Sequence, residues 1–259
     1  MADMVIAAGI FLAAAFLFFP TVAQSQYEAL LVGCQDHQRQ LGQSMVEYAG
    51  MHRSLPSPPR QDGPIGTMAY IPSALVDEHF ISADELNCLV CPAAAQKRQH
   101  LVVTVTNFGR RQLEFADALQ IAKIATMLNN SYCFPLGYAK DGEYVPRAPG
   151  SSSYMPLIAD RPDAHGAADK TTRINCLFED LSIRSLDTGT VENPGIRYVD
   201  NIYANDEGEA GPGLHPQDSV LLPGMQRPNY SRVRVGFRLP PTRTVDIKAA
   251  DFIIQSRPQ

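Results

Sequence analysis

The chain contains no tryptophan, and charged residues make up only 19% of its 259 positions. No lysine or arginine occurs before Arg39, and the formal net charge is −5. A mildly acidic chain with no basic cluster lacks the electrostatic footprint of a nucleic-acid binder. The sequence also has no H-E-x-x-H, G-x-S-x-G or P-loop, so no familiar motif announces a reaction. What is present is a 45% hydrophobic content, enough for one sizeable core. The 20 prolines and 18 glycines crowd into the second half. That placement predicts turns and short strands there and helices near the start.

Residues 4–23 carry no charge, and the stretch includes the run Phe16, Leu17, Phe18, Phe19. Twenty helical residues rise roughly 30 Å, the thickness of a bilayer's hydrocarbon core. Residues 1–25 therefore read as a transmembrane anchor. A cleaved export signal is the competing reading: Thr21, Val22 and Ala23 fit a cleavage site, although no basic residue precedes the run. Beyond it, Tyr27, Leu30, Leu31, Cys34, Leu41, Met45 and Tyr48 recur at three- and four-residue steps. Residues 26–50 thus read as an amphipathic stem continuing the anchor, kinked rather than ended at Pro20 and closed by Gly50 and the Pro56, Pro58, Pro59 cluster.

The remainder reads as a head, residues 51–222, with a β extension over residues 223–259. Short helices are expected at residues 73–80, capped by Ser73, and from Ser82, whose spacing to Glu85 fits a capping box. The longest helix of the head is expected over residues 112–128, ended by Asn129 and Asn130. Strands are expected at residues 101–105, 155–159, 174–178, 182–186, 232–239 and 245–254. Residues 131–134 and 143–145 are expected to pair as a hairpin around Asp141 and Gly142. A helix laid on an antiparallel sheet is the economical packing, so the fold class is α+β.

The order of short segments resembles a bacterial type IV pilin-like family with a C-terminal H-x9-DG signature. The segments are Phe19-Pro20; Cys34 with Gln40-Leu41-Gly42; Tyr48; Leu55-Pro56; Cys91-Pro92; residues 156–162; His165; residues 175–180 ending in Asp180; residues 200–205; and Gly213-Leu214-His215 with residues 218–221. Leu181 stands where the signature has its glycine, and fourteen residues, not nine, separate His165 from Asp180. Asp3 stands 17 residues before Pro20, near the place of the family's early helix glutamate, and no prepilin leader is visible. The resemblance implies a pilin- or pseudopilin-like shape, with Asp3 as a helix-pairing group beside the bland reading of an interfacial carboxylate. It also implies a Cys34–Cys91 staple between stem and head, which an extracytoplasmic compartment permits.

Three other chemistries can be written from these residues. Cys88-x-x-Cys91 invites a redox or zinc reading, but lacks a thioredoxin-like frame or a second ligand pair. Asp160 and His165, with Asp163 and Asp169 nearby, invite a hydrolase or metal site. Asp200, Asn205 and Asp206 lie in an oxygen-rich loop of the kind that suits Ca2+, without EF-hand spacing. The expectation is a non-enzymatic, single-pass inner-membrane protein with an extracytoplasmic head, acting through itself or other pilin-like subunits and using no cofactor. The alternatives are a secreted or tethered binding module that depends on calcium, and a hydrolase.

Overall fold

The computed structural model describes residues 2–96, 108–129, 131–148, 150, 153–162, 164, 174–187, 189–193 and 198–234. It is α+β, with one long N-terminal helix and a five-stranded antiparallel sheet. Helix α1 runs over Ala2–His52 and continues through Pro20. It ends two residues past Gly50, where Arg53 takes a φ of 63° and its N–H donates to the Ala49 carbonyl. Within residues 4–23, the side chains of residues 5–8, 10 and 14 lie outside the described set. Among the described residues no helix is long and apolar enough to cross a membrane.

The two halves of α1 meet different surroundings. Phe11, Phe16, Leu17, Phe18, Phe19 and Val22 are exposed, whereas Cys34, Gln38, Leu41, Met45, Tyr48 and Ala49 are buried. The buried set keeps the three- and four-residue steps that the sequence predicts for one helix face.

The sheet is built from β1 (Tyr132–Pro135), β4 (Pro156–Asp160), β5 (Ile174–Phe178), β6 (Ile183–Leu186) and β9 (Leu221–Pro223), in the order β6-β5-β4-β1-β9. Its neighbours are all antiparallel. Side chains alternate between two covered faces. Leu157, Leu177, Tyr132 and Phe134 join the core beneath α1. Cys133, Ala159, Cys176 and Phe178 join a second cluster with Val191, from the hairpin of β7 (Thr190–Asn193) and β8 (Tyr198–Asn201), and with Ile202 just after it. Covering both faces explains why β1, β4 and β5 are buried along their whole length and read as continuous apolar runs.

Several expectations need correction. The helix expected over residues 112–128 is two: α4 (Arg110–Glu114) and α5 (Ala118–Leu128). Asp117 breaks it by capping α5, its carboxylate accepting the Gln120 N–H at 2.7 Å. Phe115, between the two helices, and Leu119, in α5, are exposed. Helix α2 covers Tyr70–Asp77, so Ser73 is not its cap; it is buried inside the helix, donating to the Tyr70 carbonyl. The Ser82 N–H does donate to Glu85, starting a 3-10 turn over Ala83–Leu89. The turn at Asp141 and Gly142 joins β2 (Tyr138–Lys140) to β3 (Glu143–Val145), with φ of 54° and 80°. Residues 132–135 pair elsewhere, in the main sheet. β9 crosses the boundary at residues 222 and 223, and the Met68 N–H donates to the Gln226 carbonyl, so residues up to 234 pack with the head. The strands expected at residues 101–105 and 245–254 lie outside the described residues, as does residues 232–239 beyond Arg234.

α1 crosses the sheet at Gly42, where a Cβ would overlap Leu177 Cδ2 and touch Leu181 and Leu157. At Gly50, in the same helix, a Cβ would meet nothing within 4 Å. Gly50→Ala should therefore stabilise the protein by up to about 1 kcal/mol through helix propensity. Gly42→Ala should destabilise it by about 1–2 kcal/mol, because overpacking outweighs the same propensity gain. Urea denaturation midpoints moving in opposite directions would bear this out; equal shifts would not.

Candidate functional site: the stem–head junction and an acidic cluster

Cys34, on the buried face of α1, is disulfide-bonded to Cys91, which precedes α3 (Pro92–Gln96), with a Cα–Cα distance of 4.8 Å. The bond closes 57 residues of sequence, for which chain entropy alone gives on the order of 4 kcal/mol. Around it, the Tyr132 hydroxyl donates to the Cys34 carbonyl at 3.3 Å, and His37 Nδ1 lies 2.9 Å from the Val90 carbonyl. The staple implied by the resemblance is thus present. With Cys91 so engaged, Cys88-x-x-Cys91 is not a dithiol. Burial pushes the Cys88 thiol up to about 12, the opposite of a reactive or metal-binding thiolate. Cys133 and Cys176 stand outside the disulfide, buried in the sheet's second face.

A polar joint sits below the disulfide. Gln38, wholly buried on α1, donates through Nε2 to Asp160 Oδ1 at 2.8 Å and to the Asn175 carbonyl at 3.1 Å. Asp160 Oδ2 accepts the Asn175 N–H at 3.0 Å, and Asn175 Oδ1 accepts from Gln35 at 3.1 Å. Burial raises the Asp160 carboxyl to about 7, against hydrogen bonds from Asn175 and Gln38 that favour its ionised form. Asp160 has no exposed surface. It sits buried between helix and sheet, as a member of the joint that fastens them. Its proposed companions His165, Asp163 and Asp169 lie outside the described residues, as does the side chain of Asp3.

Asp180 lies in the tight turn between β5 and β6. The Ser182 hydroxyl and N–H both donate to it, at 2.6 and 2.9 Å, and hold its carboxyl below the usual range. The next residue, Leu181, has a φ of 62°, the left-handed region that costs an L-residue about 1–2 kcal/mol. This is the position at which the resembling signature carries glycine.

The third cluster lies where β8 leaves the sheet's second face. Asp200, Asp206 and Asp218 each present a carboxylate oxygen, all within 4.8 Å of one another. Asp200 Oδ2 accepts the Ser219 N–H at 2.8 Å. Asp218 Oδ2 accepts N–H groups of Leu214 at 2.6 Å and Asp206 at 3.2 Å. Asp206 Oδ2 lies 2.9 Å from His215 Nε2. Burial, then the neighbouring Asp218 carboxylate, raises Asp200 to about 6, and burial moves Asp218 in the same direction. Asn205, expected among the calcium ligands, is instead a loop-former: its Oδ1 accepts from Glu209 and Glu207, and its Nδ2 donates to the Pro212 carbonyl. Asp218 takes the third place. No local spacing links it to Asp200, and only the fold brings the two together.

Comparison with protein families, with curated proteins and with solved structures found no match to this chain.

Two outcomes follow for the joint and the turn. The folded-state pKa of Asp160 lies above its unfolded value, so its contribution is fully present below about pH 4 and is lost as pH rises through about 7. Asp160→Asn should remove this decline, a difference on the order of 2–4 kcal/mol between pH 4 and pH 8 in urea unfolding. Parallel pH profiles for the two proteins would contradict the assignment. At the turn, Leu181→Gly should be more stable than Leu181→Ala by about 1 kcal/mol, since only glycine relieves the left-handed backbone. The reverse order in thermal unfolding would show that the turn is not strained.

Proposed function

We propose that this chain is a non-enzymatic, pilin- or pseudopilin-like envelope protein, held in the inner membrane by the N-terminal half of α1, with its head outside the cytoplasm. It acts by contact with itself or with other pilin-like subunits. The observation that carries the reading is the division of α1. One half is a core element of the head, and the other displays Phe11, Phe16 and Phe19 with three-quarters of their surface exposed (76%, 76% and 74%). Contiguous exposed aromatics of this kind mark a lipid or protein contact, and the sequence carries the uncharged run back to Met4. The Cys34–Cys91 disulfide suits an oxidising compartment. A secreted or tethered binding module is the second reading, favoured by the acidic cluster at Asp200.

Intact-mass measurement on carbonate-washed membranes tests both. Retention in the washed membrane with residues 4–23 still attached is the expected outcome. A soluble protein beginning near Gln24 would replace the anchored reading with the exported module.

A further inference from the structure

We propose that Asn229 is an N-glycosylation site, its side-chain amide taking an oligosaccharide from a polyprenyl-diphosphate carrier. The proposal rests on the extracytoplasmic head put forward above, because this acceptor sequence is used on exported chains. The acceptor sequence is Asn-x-Ser or Asn-x-Thr, with x other than proline. The chain holds it twice, at Asn129-Asn130-Ser131 and at Asn229-Tyr230-Ser231. Sequence alone does not rank the two.

The fold treats them oppositely. At the first, Ser131 is 1% exposed, and its hydroxyl accepts the Cys91 N–H at 3.0 Å and donates to the Met127 carbonyl at 3.3 Å. Asn129 Oδ1 accepts the Met225 N–H at 2.8 Å. Both polar groups of that acceptor are committed to holding the head together. At the second, Asn229 and Ser231 are both exposed. Asn229 Oδ1 accepts the Ser231 N–H at 3.0 Å, a local turn that fixes the amide oxygen and leaves the nitrogen free. Among the described residues, neither Asn229 Nδ2 nor the Ser231 hydroxyl has a hydrogen-bond partner.

The loop is held by what lies between and behind these two side chains. The Asn229 N–H donates to the Ala210 carbonyl at 2.9 Å. The Tyr230 hydroxyl donates to the Pro58 carbonyl at 3.3 Å, and its ring stands edge-on to Tyr144 at 5.5 Å. The acceptor is therefore presented on an anchored backbone, and its use disturbs no contact of the core. In the transfer, Asn229 Nδ2 displaces the carrier from C1 of the first sugar. An N–C bond forms, the C1–O bond breaks with its electron pair going to the polyprenyl diphosphate, and one amide proton is lost to a base of the transferring enzyme. The product is a bulky, hydrated group on this side of the head, which leaves subunit contacts to other surfaces.

The test purifies the full chain from its native membranes in detergent and reads both acceptor peptides by mass spectrometry. External protease on intact cells reports, in parallel, on which side the head lies. The Asn229 peptide should be heavier by a whole number of sugar residues, and the Asn129 peptide should have its unmodified mass. The added mass should vanish in Asn229→Gln and in Ser231→Ala and persist in Ser231→Thr, which keeps the hydroxyl. An unmodified Asn229 peptide from a head that external protease cleaves would overturn the site and leave the extracytoplasmic reading standing. An unmodified peptide from a protected head would overturn both. A glycan on Asn129, or one on Asn229 that survives Ser231→Ala, would overturn the selection argued from the fold.

Discussion

The stem helix can lie on the sheet as closely as it does only because residue 42 has no side chain. Leu177 fills the space that a Cβ would take, with Leu157 and Leu181 in contact beside it, so the apolar surface of two strands and the turn after them meets the helix backbone itself. That close approach sets the depth of everything around it. It brings Gln38 within hydrogen-bond reach of Asp160 and Asn175, and it puts Cys34 against the loop that carries Cys91. It also turns Leu177 and Asn175 towards α1 and Cys176 and Phe178 away from it, which commits the opposite face of the sheet to the β7–β8 hairpin.

Stem and head are consequently one folding unit. The helix supplies Leu41, Met45 and Tyr48 to a core that also holds Met68, Leu75 and Phe134. A protein of this shape has no hinge at the stem–head junction: the covalent link at Cys34 and the polar joint at Gln38 lie on the same buried face, four residues apart. A force applied to the exposed end of α1 would therefore be transmitted to the sheet and not absorbed between them. The buried polar groups define the joint at the expense of some stability. Gln38 Oε1 has no partner, and Arg147 meets Glu179 at 3.2 Å without good hydrogen-bond alignment.

Sequence periodicity was sufficient for the parts whose structure is dictated locally. The three- and four-residue recurrence from Tyr27 to Tyr48 announces the stem, and the apolar runs of β4 and β5 announce themselves because both faces are covered. The Asp141-Gly142 turn was legible for the same reason, since its backbone asks for that pair; its partner strand was not, because the choice between β1 and β2 is made by the rest of the sheet. β7, β8 and β9 are three or four residues each, the first two partly polar, and too short to show a period. The helix at residues 112–128 was misread because an apolar recurrence hid the capping preference of Asp117. At the acidic cluster, composition pointed to Asp200 and Asp206, whereas Asp218 enters through a long loop and is invisible to spacing. The Cys34–Cys91 pair was legible through resemblance alone.

Amide hydrogen exchange of the intact chain tests most directly whether the stem is a core element or an attachment. Amides of residues 38–49 should exchange only through the global opening that also releases β5, with the same free energy for both, and should lose protection together when denaturant is added. Exchange of residues 38–49 through a separate opening of lower energy, with β5 still protected, would mean that the helix merely rests on a sheet that folds without it.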